Sequence, residues 1–385
     1  MMKRIFLWLL AAVLLACSAM AEDASPVPQV KDVGLDLLGS SLHYPQVIGL
    51  EDPAVETAVN NAIMEAARVE DRINRMTALI SAPVKMQVSY AHALAGDVFS
   101  CAFLADGAVE TTRATQVWST VNLDLRTGEA ITLDSLFTDP EAARAHMEAL
   151  LTEEIAPEQS AHLPAGDLIP LPEEFSLSPA GLTLYYPIDQ FCTLSGRAGT
   201  VTFLWTELRD HLDLTEGGIL DMLGADDALQ LDETSAERIA AALAQGSFPG
   251  VPAHLGQSVK ELTDAHRQLT DNELCEAGRM FILENGAFRQ VFIITDALTD
   301  GWDESVVSRI RADRLNLHGL CTGYTTLDDW RAILGEPDAT ANVSADEAYL
   351  WRLVPGTSDY YTFGDYRLRL HADEEGVLRS VFLLR

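Results

Sequence analysis

Asp296, Asp300, Asp303 and Glu304 crowd around Gly301, and several carboxylates in one loop are what a hard cation such as calcium takes as ligands. Their spacing departs from an EF-hand, so a solvated acidic turn is the expected reading. Trp302 sits in the same polar loop and is the candidate exposed contact residue, because amphipathic aromatics anchor interfaces. With 58 Asp and Glu in the chain, two carboxylates can meet at a separation suited to glycoside hydrolysis without leaving any spacing in the sequence. A cell-wall hydrolase with an unrecognised carboxylate site is therefore the catalytic alternative. His43, His92, His146, His162, His211, His254, His266, His318 and His371 are scattered. They form no HxxxH or HExxH pair, and no nucleophile elbow, Walker loop or G-x-G-x-x-G occurs. The expectation is a non-enzyme without catalytic residues, cofactor or metal.

Cys101, Cys192, Cys275 and Cys321 carry the remaining chemistry. No Cys/His spacing suggests zinc. In an exported chain they are candidates for disulfides, and four cysteines allow three pairings. Two fall on each side of the domain boundary drawn below, which favours Cys101 with Cys192 and Cys275 with Cys321; four buried free thiols are the alternative.

Export is read from the first residues. Lys3 and Arg4 precede an apolar run, Ile5 to Ala16, that is short for a bilayer span and has the form of a signal-peptide h-region. Ala19-Met20-Ala21 supplies a small-x-small cleavage pattern, so 1–21 reads as a signal peptide cut after Ala21. The rival is Leu14-Leu15-Ala16-Cys17, which resembles a lipobox and would make Cys17 the lipidated terminus of a surface lipoprotein. Cleavage after Ala21 leaves 24 basic against 58 acidic residues, or −34, where the whole chain carries −32. That sign repels phosphate backbones and anionic lipid, so nucleic acid is not an expected partner. No transmembrane helix is expected in the mature chain.

The elements that must position these residues indicate an α+β protein of two domains, each with antiparallel sheet and packed helices. Residues 22–35 read as a tether and 36–212 as the first domain. Within it Ala54/Val55, Ala58/Val59 and Ala62/Ile63 recur every four residues, as on a helix face. Strands are predicted over Val84–Tyr90, Val98–Phe103 and Thr115–Leu125, with Gly turns between them. A helix over Glu141–Ile155 is opened by Asp139-Pro140, and strands follow at Leu182–Pro187 and Thr200–Trp205. Residues 213–250 hold eight acids against Arg238 and read as a partly helical linker, with a helix near Ser235–Ala244 capped by Thr234 and Glu237. In 251–385, helices at Lys260–Gln268 and Leu327–Leu334 each precede strand-like runs. Those runs are Arg279–Glu284 and Phe288–Thr295, then Ala348–Leu353, Asp359–Phe363, Tyr366–Ala372 and Val377–Leu384. A divergent duplication would explain the repeated order. Trp118, Trp205, Trp330 and Trp351 are expected in the cores.

The first domain resembles the extracellular region of RsiV-type anti-sigma factors, which also occurs in PdaC-type peptidoglycan deacetylases, over about residues 40–212. Tyr44-Pro45 with Ile48-Gly49-Leu50 and the helix through Asn60 is similar to its opening. Asn122-Leu123-Asp124-Leu125-Arg126-Thr127-Gly128 and Ile131 to Phe137 match its most recognisable segment. Phe175-Ser176-Leu177, Gly181 to Tyr186, Gly196, Val201 and Leu208 match its close. The resemblance implies a cell-envelope binding or sensing module, and lysozyme is what this region senses in the anti-sigma relatives. It does not bring a sigma-binding segment, or the Asp/His metal centre of the deacetylases. Thr322 to Asp338 more loosely resembles the helix-plus-sheet modules of BamE-like and β-lactamase-inhibitor-like proteins, which bind proteins. The expected function is thus an exported, non-catalytic envelope binding or sensing protein with lysozyme or another cationic envelope protein as partner. A structural surface lipoprotein is the third reading beside the hydrolase.

Overall fold

The computed structural model describes residues 27–110, 115–154, 171–186, 200–249, 251, 253–264, 269–275, 278–284, 290–295 and 305–385. The leader with Cys17, Cys192, the acidic loop with Trp302 and the side chain of Cys275 lie outside the described residues.

Strands β1 (Gln29–Leu37) and β2 (Ser40–Ile48) are joined by Leu38 and Gly39, both at positive φ (47° and 87°). That two-residue turn matches the natural twist of a hairpin. It also corrects the expected tether, which ran to residue 35. Val30, Val33, Leu35 and Leu37 are only half-buried, so β1 has the weak alternation of an edge strand.

Helix α1 (Pro53–Ala66) starts where Asp52 accepts a hydrogen bond from Ala54 N, and buries Val59 and Ile63. Helix α2 (Val69–Ala78) has no counterpart in the sequence reading, because charged and polar residues outnumber its buried Val69 and Met76. The crossover through α1 and α2 makes β2 and β3 (Met86–Ala95) parallel, after which β4 (Val98–Gly107) and β5 (Thr115–Asp124) complete the expected meander. One face of this sheet packs Leu42, Phe99 and Phe103 against Val59, Ile63 and Met76.

The other face receives α3 (Pro140–Glu154) and the small sheet β6 (Phe175–Ser178), β7 (Gly181–Tyr185) and β8 (Thr200–Leu204). Polar side chains make that joint. Ser100 Oγ accepts from Leu177 N at 2.7 Å and donates to Asn122 Oδ1 at 2.7 Å, while Asn122 Nδ2 donates to Phe175 O at 2.8 Å. Asn122 thus ties two sheets together, and Gly128, at φ +76°, leaves room for Ala58 of α1, whose Cβ would stand 3.3 Å from an added one. This recognisable segment defines the fold.

The stretch expected as a linker holds α4 (Ile219–Met222), α5 (Ala225–Leu229) and α6 (Ser235–Leu243). Leu220, Leu223 and Leu229 enter the core of the first module, and Ile239, Leu243 and Phe248 enter that of the second. The predicted capping box at α6 does not form. Thr234 is itself helical, its hydroxyl donating to Asp232 at 2.7 Å, and Ser235 Oγ accepts from Asp232 N at 3.0 Å.

The second module contains α7 (Val259–Asp264), β9 (Leu269–Cys275), β10 (Gly278–Glu284), β11 (Gln290–Thr295), β12 (Val307–Ala312), β13 (Asn316–Leu317) and β14 (Leu320–Cys321). It continues through α8 (Leu327–Leu334), β15 (Ala339–Val343), α9 (Ala345–Trp351), β16 (Gly356–Phe363), β17 (Tyr366–Asp373) and β18 (Leu378–Leu384). Eight strands form one antiparallel sheet in the order β15-β16-β17-β18-β12-β11-β10-β9. In each half a helix precedes a four-strand meander, and the last strands of the halves, β12 and β18, pair at the centre with Arg311 opposite Phe382. The strand predicted at Ala348–Leu353 is helix α9. Its cause is a capping box in which Ser344 Oγ accepts from Glu347 N and Glu347 Oε2 accepts from Ser344 N. Trp205 and Trp330 are fully buried, whereas Trp118 and Trp351 are half-buried. Among the described residues no helix is long and apolar enough to cross a membrane.

Candidate binding cleft

Where the two modules meet, a 3-10 helix (Trp205–His211), α3, α5, β14 and α8 surround a cleft of about 650 Å³. Concave sites between modules are where ligands are most often held. His146 and Leu150 of α3 and Thr206, Asp210 and His211 of the 3-10 helix form one wall; Cys321, Tyr324, Ala332 and Ile333 form the other.

Contacts within and between the modules fix the walls. Glu207 Oε2 accepts from Leu204 N at 2.7 Å, and Glu207 Oε1 accepts from Arg314 Nη2 of the second module. The two side chains of this ion pair are 11% and 12% exposed, so loss of either leaves a largely desolvated charge. Cys321 Sγ lies 2.9 Å from Thr206 Oγ1. The β13–β14 turn, His318-Gly319, has φ of 49° and 89°, the geometry that glycine supplies at least cost. It approaches the linker so closely that a Cβ on Gly319 would stand 2.3 Å from Gln230 O. Beside it Asn316 Nδ2 donates to Ala228 O at 2.7 Å.

Inside the cleft His146 Nε2–H donates to Glu207 O at 2.9 Å. The carbonyl acceptor assigns that tautomer and leaves Nδ1 as an acceptor in the neutral ring. The rings of His146 and His211 are 5.0 Å apart. Tyr324, 51% exposed, stands across from them with Ala332 and Ile333. Two of the acids here do structural work: Glu207 is neutralised by Arg314, and Asp329 caps α8 by accepting from Thr326 N at 2.9 Å and Thr326 Oγ1 at 2.6 Å. The arrangement offers apolar contact, an aromatic ring and hydrogen-bond acceptors, with acidic Asp210 and Asp329 and basic Arg209 at the rim.

A Ser–His pair does occur elsewhere. Ser358 Oγ and His371 Nδ1 are 2.9 Å apart, but both residues are fully buried, His371 Nε2 is committed to Val354 O at 2.8 Å, and Ser358 Oγ accepts from Arg369 Nε at 3.0 Å. This is a buried polar network rather than a nucleophile open to substrate. Among the described residues no group of His, Cys, Asp and Glu is placed to hold a metal ion.

Of the residues singled out in the sequence, Cys321 and two of the scattered histidines, His146 and His211, line the cleft. Cys101 is a free, fully buried thiol in the first core, its pKa pushed up by burial. The suggested partners Cys192 and the Cys275 side chain, like Cys17 and Trp302, lie outside the described residues. Glu207 and Arg314 were missed because they are 107 positions apart, a separation that leaves no local signal. His146 has one weak signal, its place on the inward side of a helix.

No protein-family model matches the chain, and no curated protein matches it. Solved structures overlay on part of it. A DUF3298 family member from Bacteroides fragilis aligns at TM-score 0.38 and 11% identity over 52% of this chain and 99% of that one. A DUF3298 family protein from Pseudomonas aeruginosa gives 0.34 and 11% over 50% and 96%. A DUF4309 family protein from Bacillus subtilis gives 0.30 and 13% over 40% and 96%. Overlays this partial carry no functional assignment.

Proposed function

We propose that the chain is an exported, non-catalytic binding protein of the cell envelope that takes its ligand in the cleft between its modules. The leading ligand is a cationic protein such as lysozyme. The observation that carries this reading is a cleft walled by both modules, its geometry fixed by the Glu207–Arg314 pair, with exposed Tyr324 set among apolar residues. A net charge of −32 draws a basic partner from a distance, and an aromatic in a concave, partly apolar site supplies the short-range contact. Of the acids lining the cleft among the described residues, Glu207 serves a salt bridge and Asp329 a helix cap, which leaves exposed Asp210 without a carboxylate to pair with and favours docking over two-carboxylate chemistry.

Calorimetric titration of the mature protein with lysozyme at low and at physiological salt tests the reading. Binding weakened but retained at physiological salt, and lowered about tenfold by Tyr324→Ala, is the expected result. Absence of binding at low salt, or its complete loss at physiological salt, overturns the ligand. Turnover of a wall polymer abolished by a single carboxylate substitution overturns the non-catalytic reading.

A further inference from the structure

The face of the eight-stranded sheet turned away from α7 and α8 carries alternating rings and guanidiniums. Paired positions run Tyr360, Arg369, Phe382, Arg311 and Phe292 across five adjacent strands; Phe382, Arg311 and Phe292 are buried, so the open part of the face is Tyr360 with Arg309, Arg367 and Arg369. Their alternate neighbours Leu370, Val381, Ile310 and Ile293 point into the core on the other side, as the two-residue period of strands requires. The Arg369 guanidinium lies 5.7 Å from the Tyr360 ring and 4.6 Å from that of Phe382; Arg311 lies 5.6 Å from Phe382 and 4.5 Å from Phe292. One step along the strands, Arg367 and Arg309 flank Leu384, with Arg367 5.0 Å from Tyr360 and Arg309 5.5 Å from Trp351.

Charge makes this face unlike the rest of the chain. Arg311 is matched by Asp313, through two hydrogen bonds of 2.5 Å. Arg309, Arg367 and Arg369 have no carboxylate partner among the described residues, in a chain whose acids outnumber its bases 58 to 26. The crowding is felt at Arg369, whose pKa is lowered by burial and then by Arg311 and Arg309 despite the Tyr360 ring beside it. At one end of the row α9 is pinned to the sheet, because Trp351 O and Arg352 O accept from Arg311 at 2.6 and 2.8 Å. It presents Tyr349 and Leu350, exposed by 84% and 55%, and the segment after it presents Val354, exposed by 42%.

We propose that this face docks an acidic protein segment, extended and carrying carboxylates at alternate positions with apolar residues beside them. Arg367 and Arg369, two residues apart on one strand, are separated by about 7 Å, the spacing of alternate side chains on an extended peptide; Arg367 is exposed, while Arg369 is half-buried with its Nε held by Ser358 Oγ at 3.0 Å. Arg309 lies two strands from Arg367, about 10 Å away. Guanidinium forks take carboxylates in paired hydrogen bonds, and the ring beneath each one holds its plane. The apolar shelf of α9 selects a protein segment over a bare polyanion, which has nothing to bury there. This surface is separate from the cleft and opposite to it in charge preference.

Fluorescence anisotropy of the mature protein with a labelled peptide of about twelve residues alternating Glu and Leu tests the proposal. We expect micromolar binding at physiological salt, weakened at least about tenfold by Gln in place of Glu. Arg309→Glu with Arg367→Glu should weaken it by about tenfold or more, Arg367→Gln by about threefold, and Tyr349→Ala with Leu350→Ala by about threefold, all with an unchanged thermal midpoint. The single Arg367→Gln change at an exposed position guards against a folding defect in the double variant. No binding of the Glu peptide overturns the proposal, as does binding indifferent to the arginine changes. Inorganic polyphosphate that binds where the peptide does not assigns the face to polyanions and overturns it equally.

Discussion

Arg72 of α2 is 3% exposed, and none of its three guanidinium nitrogens has a hydrogen-bond partner among the described residues. Burial, with Arg68 nearby, lowers its pKa to about 10. A buried charge without a partner costs more than an apolar group of similar size. Arg72→Leu should therefore raise stability by about 1–3 kcal/mol in urea unfolding; a loss would mean that Arg72 is compensated. Gly319 is the opposite case. Its φ of +89° and the 2.3 Å approach of Gln230 O leave no place for a methyl group, so Gly319→Ala should cost about 2–4 kcal/mol. It should also loosen the contact of Asn316 with Ala228, seen as faster amide exchange around 228–231 and 316–321. Neither role was legible in the sequence. The backbone that Gly319 must clear belongs to Gln230, far away in the sequence, so no local pattern marks the contact.

Elements were more legible than contacts. Helices α1, α3 and α8 and the β3–β5 meander follow from apolar periodicity, capping residues and glycine turns, which are all local. The misses have physical causes: β1 is a half-buried edge strand, α2 carries too few apolar residues to show a face, and α9 is an apolar run turned helical by its cap. Helix α9 and the segment after it have a pH-dependent hold on the sheet. His371, fully buried, donates from Nε2 to Val354 O and accepts at Nδ1 from Ser358. Burial lowers its pKa to about 4, with Arg369 and Arg311 adding to the effect and the Val354 bond and Asp373 opposing it. The folded value lies below the ordinary one near 6.5, so the stabilisation is complete above that value and is lost as pH falls through it toward about 4. The loss should reach about 3 kcal/mol, measured by denaturant unfolding between pH 7 and 4. His371→Phe should flatten that part of the profile; an unaltered slope would show that another group titrates there.

Taken whole, the molecule is two sheet-and-helix modules held together by the helices of 219–243, which enter one core or the other. The broad α+β class and the presence of two sheet-bearing halves could be read from the pattern of elements. The cleft could not, because residues from α3, the 3-10 helix, β14 and α8 meet there only after both modules fold. An acidic surface alone would attract a basic protein anywhere. A built cleft would localise it. Hydrogen–deuterium exchange of the mature protein with and without saturating lysozyme at physiological salt separates these cases. We expect protection concentrated in 205–211 and 320–334, with the β1–β2 hairpin unaffected. Protection spread evenly over the acidic surface, or absent from both segments, would contradict ligand capture between the modules.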